Sequence, residues 1–193
     1  MKKLLVTMAL MAGYSPVWAG TYVSVSLGGV LGSLEGVSTG FRLGDEIGAW
    51  DGSIGYERAS GSLYSSKLLS DSADLHTISL EGYRIIPFQS DLKFKVGGGL
   101  GYSILNLSSV DKADNDVSFI LGGSAEYTFT DNWSVGTNVK GTFFNTNTHR
   151  TTYSSHNETL STGQEVEVLD TNNTTNSVNF NNVSMGLAVK YSF

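Results

Sequence analysis

The last strand-length segment of the chain alternates between apolar residues and small or polar residues. The apolar positions are Val183, Met185, Leu187, Val189, Tyr191 and Phe193, and the alternate positions are Ser184, Gly186, Ala188, Lys190 and Ser192. Successive side chains of a β-strand point to opposite faces of the sheet. The segment therefore predicts a strand with one apolar face and one small or polar face.

The same period of two recurs along the chain and predicts eight strands. We place them at about residues 21–31, 36–43, 47–59, 75–86, 92–108, 117–130, 133–153 and 177–193. The second strand is the shortest, and Ile120 is an exception to the alternation of the sixth. An even number of antiparallel strands can close into a barrel that leaves no free edge.

A soluble β-sandwich also alternates, with its apolar face turned inward, so other features must decide the orientation. The polar face carries many glycines and small residues with few charges, as the filled lumen of a narrow barrel requires. Aromatic residues gather near strand ends, as in the interfacial girdle of a membrane barrel. These residues are Trp50, Phe88, Phe94, Tyr127, Phe129, Trp133, Tyr191 and Phe193. Both features predict that the apolar face meets lipid.

The predicted connections alternate between short and long. Residues 44–46, 87–91 and 131–132 form the short ones, whereas residues 60–74, 110–116 and 154–176 form the long ones. Short periplasmic turns opposite longer external loops are typical of outer-membrane barrels. The predicted fold is therefore all-β, an eight-stranded antiparallel up-and-down transmembrane β-barrel. The segment 92–108 exceeds the ~9–11 residues that a bilayer needs, so the sheet should project beyond the membrane on the long-loop side.

The first nineteen residues have the pattern of a secretory signal peptide. Lys2 and Lys3 precede an apolar stretch over residues 4–13, and Val17 and Ala19 occupy the positions that the peptidase reads. That stretch is about half the ~20 residues of a spanning helix. We predict cleavage after Ala19, a signal peptide at residues 1–19, a barrel domain at residues 20–193, and export to the outer membrane.

Composition narrows the chemistry further. Charged residues make up 16% of the chain, and there is no cysteine, which excludes disulfides, thiolate metal sites and a lipid-modified cysteine. The formal net charge is −6 and becomes more negative when Lys2 and Lys3 are removed. This charge argues against a nucleic-acid partner.

Three segments carry a resemblance to a known family. They are Gly-Phe-Arg-Leu-Gly-Asp-Glu at residues 40–46, Gly-Tyr-Glu at residues 55–57, and Gly-Leu-Ala-Val-Lys-Tyr-Ser-Phe at residues 186–193. The chain resembles the small eight-stranded outer-membrane barrels: the membrane domain of outer membrane protein A, the opacity and neisserial surface proteins, and the OmpX-like attachment and serum-resistance proteins. The resemblance implies that Leu187, Val189, Tyr191 and Phe193 form the signal that the outer-membrane insertion machinery reads. It also implies contact with outer-membrane lipids and lipopolysaccharide.

Nine charged residues fall in the lumen-facing register. They are Arg42, Asp51, Glu57, Glu81, Lys93, Lys95, Glu126, Lys140 and Lys190. Buried charges need partners, and eight strands leave room for little more than side chains. We therefore predict an ion-pair network that plugs the barrel, with a gated narrow ion path as the alternative. Arg58 and Arg84 face outward near strand ends, where Arg84 can reach lipid headgroups and Arg58 either contacts a lipopolysaccharide phosphate or is solvated.

The external loops are acidic. The fourth carries Glu158, Glu165, Glu167 and Asp170, and the third sets Asp111, Asp114 and Asp116 against Lys112. A host or surface ligand would then be bound through other chemistry, such as exposed β-edges or Tyr153 and Leu160. No run has the spacing of a calcium loop, and we expect neither a metal nor a cofactor.

A lipid A-modifying enzyme is the main catalytic alternative, and it needs serine, histidine and an acid on the outward face. None of His76, His149 and His156 forms a His-x-Ser pair on a lipid-facing strand. We therefore predict no catalytic residues. The predicted function is a non-enzymatic surface barrel whose external loops mediate envelope integrity or host and surface interaction, with the narrow pore as the competing interpretation.

Overall fold

Eight long strands follow one another along the chain in a computed structural model that describes residues 20–65, 68–108, 112–159 and 165–193. The strands are β1 (Thr21–Gly32), β2 (Leu34–Ile47), β3 (Trp50–Ser65), β4 (Leu68–Pro87), β5 (Leu92–Leu107), β6 (Asp116–Thr128), β7 (Trp133–Thr159) and β8 (Glu165–Ser192). The predicted signal peptide lies outside the described residues.

Each strand pairs antiparallel with the next, and β1 pairs with β8 to close the ring. The closing register runs from Tyr22 opposite Ser192 to Gly32 opposite Asn182. The predicted eight-stranded up-and-down barrel is therefore confirmed. None of the described residues forms a helix with the length and apolar character of a membrane span.

The apolar side chains face outward, as the alternation predicts. Leu27, Leu80 and Leu187 are 64%, 65% and 63% exposed, whereas polar neighbours such as Ser79 and Lys190 are buried. On β7 the outward apolar residues run from Trp133 to Phe143, about ten residues. At ~3.4 Å per residue and a tilt near 40°, that run rises about 26 Å, close to the ~25 Å apolar band of a membrane barrel. We call this band the apolar belt.

The first short turn lies later in the chain than the alternation indicates. We expected it at residues 44–46, but β2 continues to Ile47, which pairs with Trp50. Gly48 makes the reversal with a φ of 60°, a left-handed conformation that glycine adopts without steric cost. This correction moves Glu46 from a turn into a strand, where its side chain enters the lumen.

Much of the predicted long loops is strand. β7 and β8 remain paired from Trp133 opposite Tyr191 to Thr159 opposite Glu165, across most of the segment expected as a loop at 154–176. β3 and β4 likewise pair from Ser60 opposite Asp74 to Leu63 opposite Asp71. Beyond the apolar belt the outward face meets water, so Thr, Asn and Ser pairs continue the sheet without any hydrophobic alternation.

The two ends of the barrel therefore differ in how far the sheet projects. The end with Thr21, Ser192 and the turns at residues 48–49, 88–91 and 129–132 is here called the turn end. The opposite end, where β7 and β8 extend furthest, is called the hairpin end. A two-residue strand, Lys112–Ala113, lies against His149 and Thr148 of β7 at that end.

Candidate functional site

Six charged side chains meet in the lumen near the turn end, and we call them the turn-end cluster: Lys93, Lys95, Lys190, Glu46, Asp51 and Glu126. Glu46 accepts hydrogen bonds from all three lysines, at 2.6 Å from Lys93 Nζ and 2.7 Å from each of Lys95 Nζ and Lys190 Nζ. Lys95 also donates to Asp51 Oδ2 at 2.5 Å. Glu126 pairs with Lys93 and Lys95 at 3.2 Å and with Lys190.

Four more charges lie deeper in the lumen and form the mid-lumen cluster: Arg42, Lys140, Glu57 and Glu81. Arg42 Nη2 donates to Glu81 Oε2 at 2.7 Å. Lys140 pairs with Glu57, and its Nζ lies 3.7 Å from Glu81 Oε1. Ser79 and Tyr83 donate to the two oxygens of Glu81 at 2.6 and 2.7 Å.

All nine sequence-predicted lumen charges thus lie in these two clusters, and Glu46 makes a tenth. The nine comprise five cations and four acids, so Glu46 brings the balance to five of each. An unpaired charge in such an interior is costly, and a balanced set avoids that cost. The sequence signal for Glu46 was its register, because it follows Arg42 by an even number of residues on the same strand.

Two buried tyrosines that we did not single out complete the network. Tyr22 Oη donates to Asp51 Oδ1 at 2.8 Å, and its ring lies 5.2 Å from Lys95 Nζ and 4.9 Å from Lys190 Nζ. The Arg42 guanidinium lies 5.5 Å from the ring centre of Tyr83. Each ring faces a cation while its hydroxyl binds an acid, so both tyrosines bridge opposite charges. A lumen cavity of about 60 Å³, lined in part by Tyr22, Arg42 and Glu81, leaves room for a few water molecules.

An apolar layer fills the lumen between the mid-lumen cluster and the hairpin end, and we call it the apolar plug. Its members are Val30, Leu34, Ala59, Leu63, Ala73, Leu75, Leu105, Phe144, Val178 and Phe180. Leu34, Leu63 and Phe180 are 0% exposed, and the rings of Phe144 and Phe180 stack at 4.9 Å. Sequence reasoning missed the plug, because it treated the lumen face as small or polar throughout.

A short chain of hydroxyls separates the charges from the plug. Ser103 Oγ lies 3.0 Å from Thr77 Oγ1 and donates to Ser118 Oγ at 3.0 Å. Ile120, the exception in the sixth strand, also faces inward and is 1% exposed. The lumen is therefore layered from charge through hydroxyls to hydrocarbon.

The outward face near the hairpin end carries a polar cluster just outside the apolar belt. Tyr56 Oη and His76 Nδ1 share a hydrogen bond of 2.8 Å. Arg58 donates to Asp74 Oδ1 at 3.0 and 3.2 Å, and Ser60 donates to the same oxygen. The Ser60 hydroxyl and the Arg58 guanidinium hold the pKa of Asp74 below its usual range. Ser60 therefore bonds to an acid and His76 to a phenol, which is not the serine–histidine pairing of a nucleophilic site.

Arg84 lies at the opposite margin of the apolar belt. Its guanidinium stacks 5.2 Å from the ring centre of Trp50, near the turn end. A cation and an indole at this depth suit the level of lipid headgroups. The two outward arginines thus lie at opposite margins of the apolar belt and have different partners. Arg58 donates to a carboxylate, whereas Arg84 stacks on an aromatic ring.

The projecting part of β7 and β8 forms a two-stranded hairpin with exposed faces. In the described part of the chain, residues 152–159 of β7 and 165–172 of β8 pair in the sheet only with each other. Tyr153 and Leu169 are 67% and 65% exposed on one face of the hairpin. His156 Nδ1 lies 2.8 Å from Asp170 Oδ2 on the other face. We call residues 152–159 and 165–172 the projecting hairpin.

The acidic loop residues are dispersed over this end. Glu158, Glu165 and Glu167 are exposed on the projecting hairpin. His149 of β7 shares hydrogen bonds with Thr175 Oγ1 at 3.1 Å and with Asp114 Oδ2 at 3.2 Å. Asp114 belongs to the long connection between β5 and β6, which is thereby attached to β7. Asp111 and Leu160 lie outside the described residues. Within the described ranges no three His, Asp or Glu side chains are placed to hold a metal ion.

Comparison with known proteins identifies the fold. No family model and no curated protein matches the chain. Among solved structures, neisserial surface protein A is 16% identical with a TM-score of 0.63, over 90% of this chain and 97% of that one. A major outer membrane protein from Thermus thermophilus is 13% identical with a TM-score of 0.57, over 91% of this chain and 100% of that one.

A third similar structure is the N-terminal β-barrel domain of Pseudomonas aeruginosa OprF. It is 13% identical, with a TM-score of 0.52, over 89% of this chain and 97% of that one. The fold is thus that of the small outer-membrane β-barrels, as the sequence resemblance predicts. At these identities the likeness establishes the fold alone.

Proposed function

We propose that this protein is a non-enzymatic surface barrel of the bacterial outer membrane, with its hairpin end on the outside. The projecting hairpin would mediate contact with the cell envelope or with a host or other surface. The observation that carries this proposal is a paired β-hairpin that continues well beyond the apolar belt with both faces exposed. Rigid scaffolds that present exposed connections commonly place function in those connections.

The filled lumen favours a surface role over the narrow pore. Ions entering at the turn end would meet paired charges and then the apolar plug, where Leu34, Leu63 and Phe180 are fully buried. Transfer of an ion into such a hydrocarbon layer is strongly unfavourable. A sealed barrel acts as an anchor for its external parts.

The outward polar cluster supports the non-enzymatic proposal. Ser60 donates to Asp74, and His76 is engaged by Tyr56, so the serine has no histidine base. Mass spectrometry of lipid A from cells with and without the protein tests this point. We expect identical acyl patterns, and a lost or gained acyl chain would establish the enzyme instead.

The last strand suits the proposed insertion signal. Leu187 and Val189 are exposed on the outward face of β8 with Phe193 at its end. Tyr191 packs edge-on against Trp133 at 5.0 Å and Phe193 at 5.1 Å. We propose that the insertion machinery reads this outward face. Lipopolysaccharide and other membrane lipids would surround the apolar belt.

A register-matched truncation tests the role of the projecting hairpin. Thr151 and Asn173 are direct partners, so replacing residues 152–172 by an Asn-Gly turn preserves the pairing below. We expect the truncated barrel to assemble in the outer membrane but to lose cell-surface binding or resistance to serum and detergents. Normal heat-modifiable gel mobility is the control for assembly. Unchanged binding and unchanged resistance in an assembled barrel would refute the proposal.

A further inference from the structure

Asp45 is an acid on the outward face of the barrel at the turn end. It lies opposite Thr21 of β1 and Gly52 of β3. Its Oδ1 is enclosed and has no hydrogen-bond partner in the part of the chain that the structure describes. Enclosed carboxylate oxygens normally have a donor, because an unmet acceptor away from water is costly. The ion-pair network does not use Asp45, since its carboxylate lies outside the lumen register.

Gly20, immediately before β1, lies directly against this carboxylate. Its carbonyl oxygen accepts a hydrogen bond from the Glu46 backbone N–H at 3.0 Å. A Cβ placed on Gly20 would lie 2.8 Å from Asp45 Oδ1 and 2.5 Å from the Glu46 carbonyl oxygen. Only glycine fits so close an approach. The Gly20 nitrogen, bonded to the same Cα at ~1.5 Å, is therefore within roughly 5 Å of that oxygen.

The cleavage that the sequence predicts after Ala19 would change the chemistry of that nitrogen, and the proposal rests on that cleavage. A signal peptidase would hydrolyse the Ala19–Gly20 bond, so that water's hydroxyl joins the Ala19 carbonyl and a proton joins the Gly20 nitrogen. The freed amine, with an ordinary pKa of about 7.7–8.0, takes up a further proton at neutral pH. A single amide donor becomes an ammonium with three donors and a positive charge. We propose that the α-ammonium of processed Gly20 binds Asp45 in an ion pair.

The surrounding groups fit this pairing. Glu46, the next residue, directs its carboxylate to lysines in the lumen and does not compete for the ammonium. The Phe193 backbone N–H donates to the Thr21 carbonyl at 3.0 Å, so the end of β8 also lies beside the start of β1. The ammonium therefore lies beside a carboxylate, that of Asp45, which has no lysine partner among the described residues. The pair would fasten the start of β1 to the end of β2, next to the strands that close the ring.

A two-by-two comparison tests the proposal. Processed protein is isolated from outer membranes and its N-terminal residue is sequenced. The precursor, which retains residues 1–19, is refolded in detergent. Both forms are made with Asp45 and with Asp45→Asn. Asp91→Asn, an exposed acid in a turn at the same end, is the matched control.

Two readouts distinguish an ion pair from a structural effect of the substitution. In the folded processed protein at pH 7, Asp45→Asn should increase the rate of N-terminal acylation by about three- to tenfold, because the carboxylate stabilises the unreactive ammonium. The same substitution should speed thermal unfolding of the processed form severalfold and leave the precursor unchanged. Asp91→Asn should alter neither rate.

Three results would overturn the proposal. They are an N-terminus other than Gly20, equal acylation rates with and without the Asp45 carboxylate, and an equal effect of Asp45→Asn on both forms. If Asp45→Asn does not assemble, Asp45→Glu replaces it. That variant retains a carboxylate, so its Gly20 amine should still be acylated slowly. Acylation as fast as in the urea-unfolded chain would contradict the pairing.

Discussion

Lys95 and Glu46 are joined across the lumen at 2.7 Å, although 49 positions separate them in the chain. The same Glu46 carboxylate binds Lys93 and Lys190, so one side chain links β2, β5 and β8. These strands are held at fixed distances around the ring by backbone pairing. The turn-end cluster fills the space between them with matched charge.

Removal of Glu46 should therefore destabilise the barrel more than removal of an exposed acid on the same strand. Glu46→Gln leaves three lysines with only two carboxylates. Loss of one partner of a fully buried pair costs ~3–5 kcal/mol. Because the Glu46 side chain is 19% exposed, we expect about 2–3 kcal/mol. Urea unfolding of the detergent-folded protein measures the loss. Glu35 is exposed at the hairpin end of β2, so Glu35→Gln should change the free energy of unfolding by no more than about 0.5 kcal/mol. If the two variants lost the same free energy of unfolding, the stability of the barrel would not depend on the Glu46 contacts.

The apolar plug makes a contrasting prediction for two adjacent phenylalanines. Phe144 faces the lumen and stacks on Phe180, whereas Phe143 faces outward and is 37% exposed. Phe144→Ala should cost about 3–5 kcal/mol, as for a truncated core aromatic. Phe143→Ala should cost less than half as much in the same detergent. A reversed order in the unfolding midpoints would mean that the plug does not contribute to stability.

The layered lumen should not conduct ions. Purified protein added to a planar lipid bilayer is expected to give no steady single-channel openings, because the charges are paired and the plug excludes water. The positive control is a larger porin measured in the same bilayer. Steady openings that scale with salt concentration would favour the pore over the sealed barrel.

The orientation of the two faces can be tested with a single charge. Leu80 lies in the apolar belt and is 65% exposed, so Leu80→Lys should destabilise the membrane-inserted barrel by about 2–4 kcal/mol. Asn106 lies on the outward face of β5 beyond the belt, and Asn106→Lys should be nearly neutral. Folding yield into lipid vesicles compares the two variants. Equal yields would contradict lipid contact at Leu80.

The alternation in the sequence determined the number of strands, the face that each side chain occupies, and the charges that enter the lumen. These are local properties, because a strand places residues on opposite faces whatever its neighbours are. Ile120 interrupts the apolar alternation, yet its side chain faces the lumen as its position along the strand requires. Position along the strand therefore predicts the face of a side chain better than its hydrophobicity does.

The tertiary structure decided where strands end and which side chains meet. Outside the belt, water replaces lipid at the outward face, so hydrophobic alternation ends while backbone pairing continues through the projecting hairpin. The position of Glu46 depended on the pairing of Ile47 with Trp50. The plug depended on bringing Leu34, Phe144 and Phe180 together from distant strands. Barrel closure alone sets such contacts, because it fixes the distance between strands that are far apart in the chain.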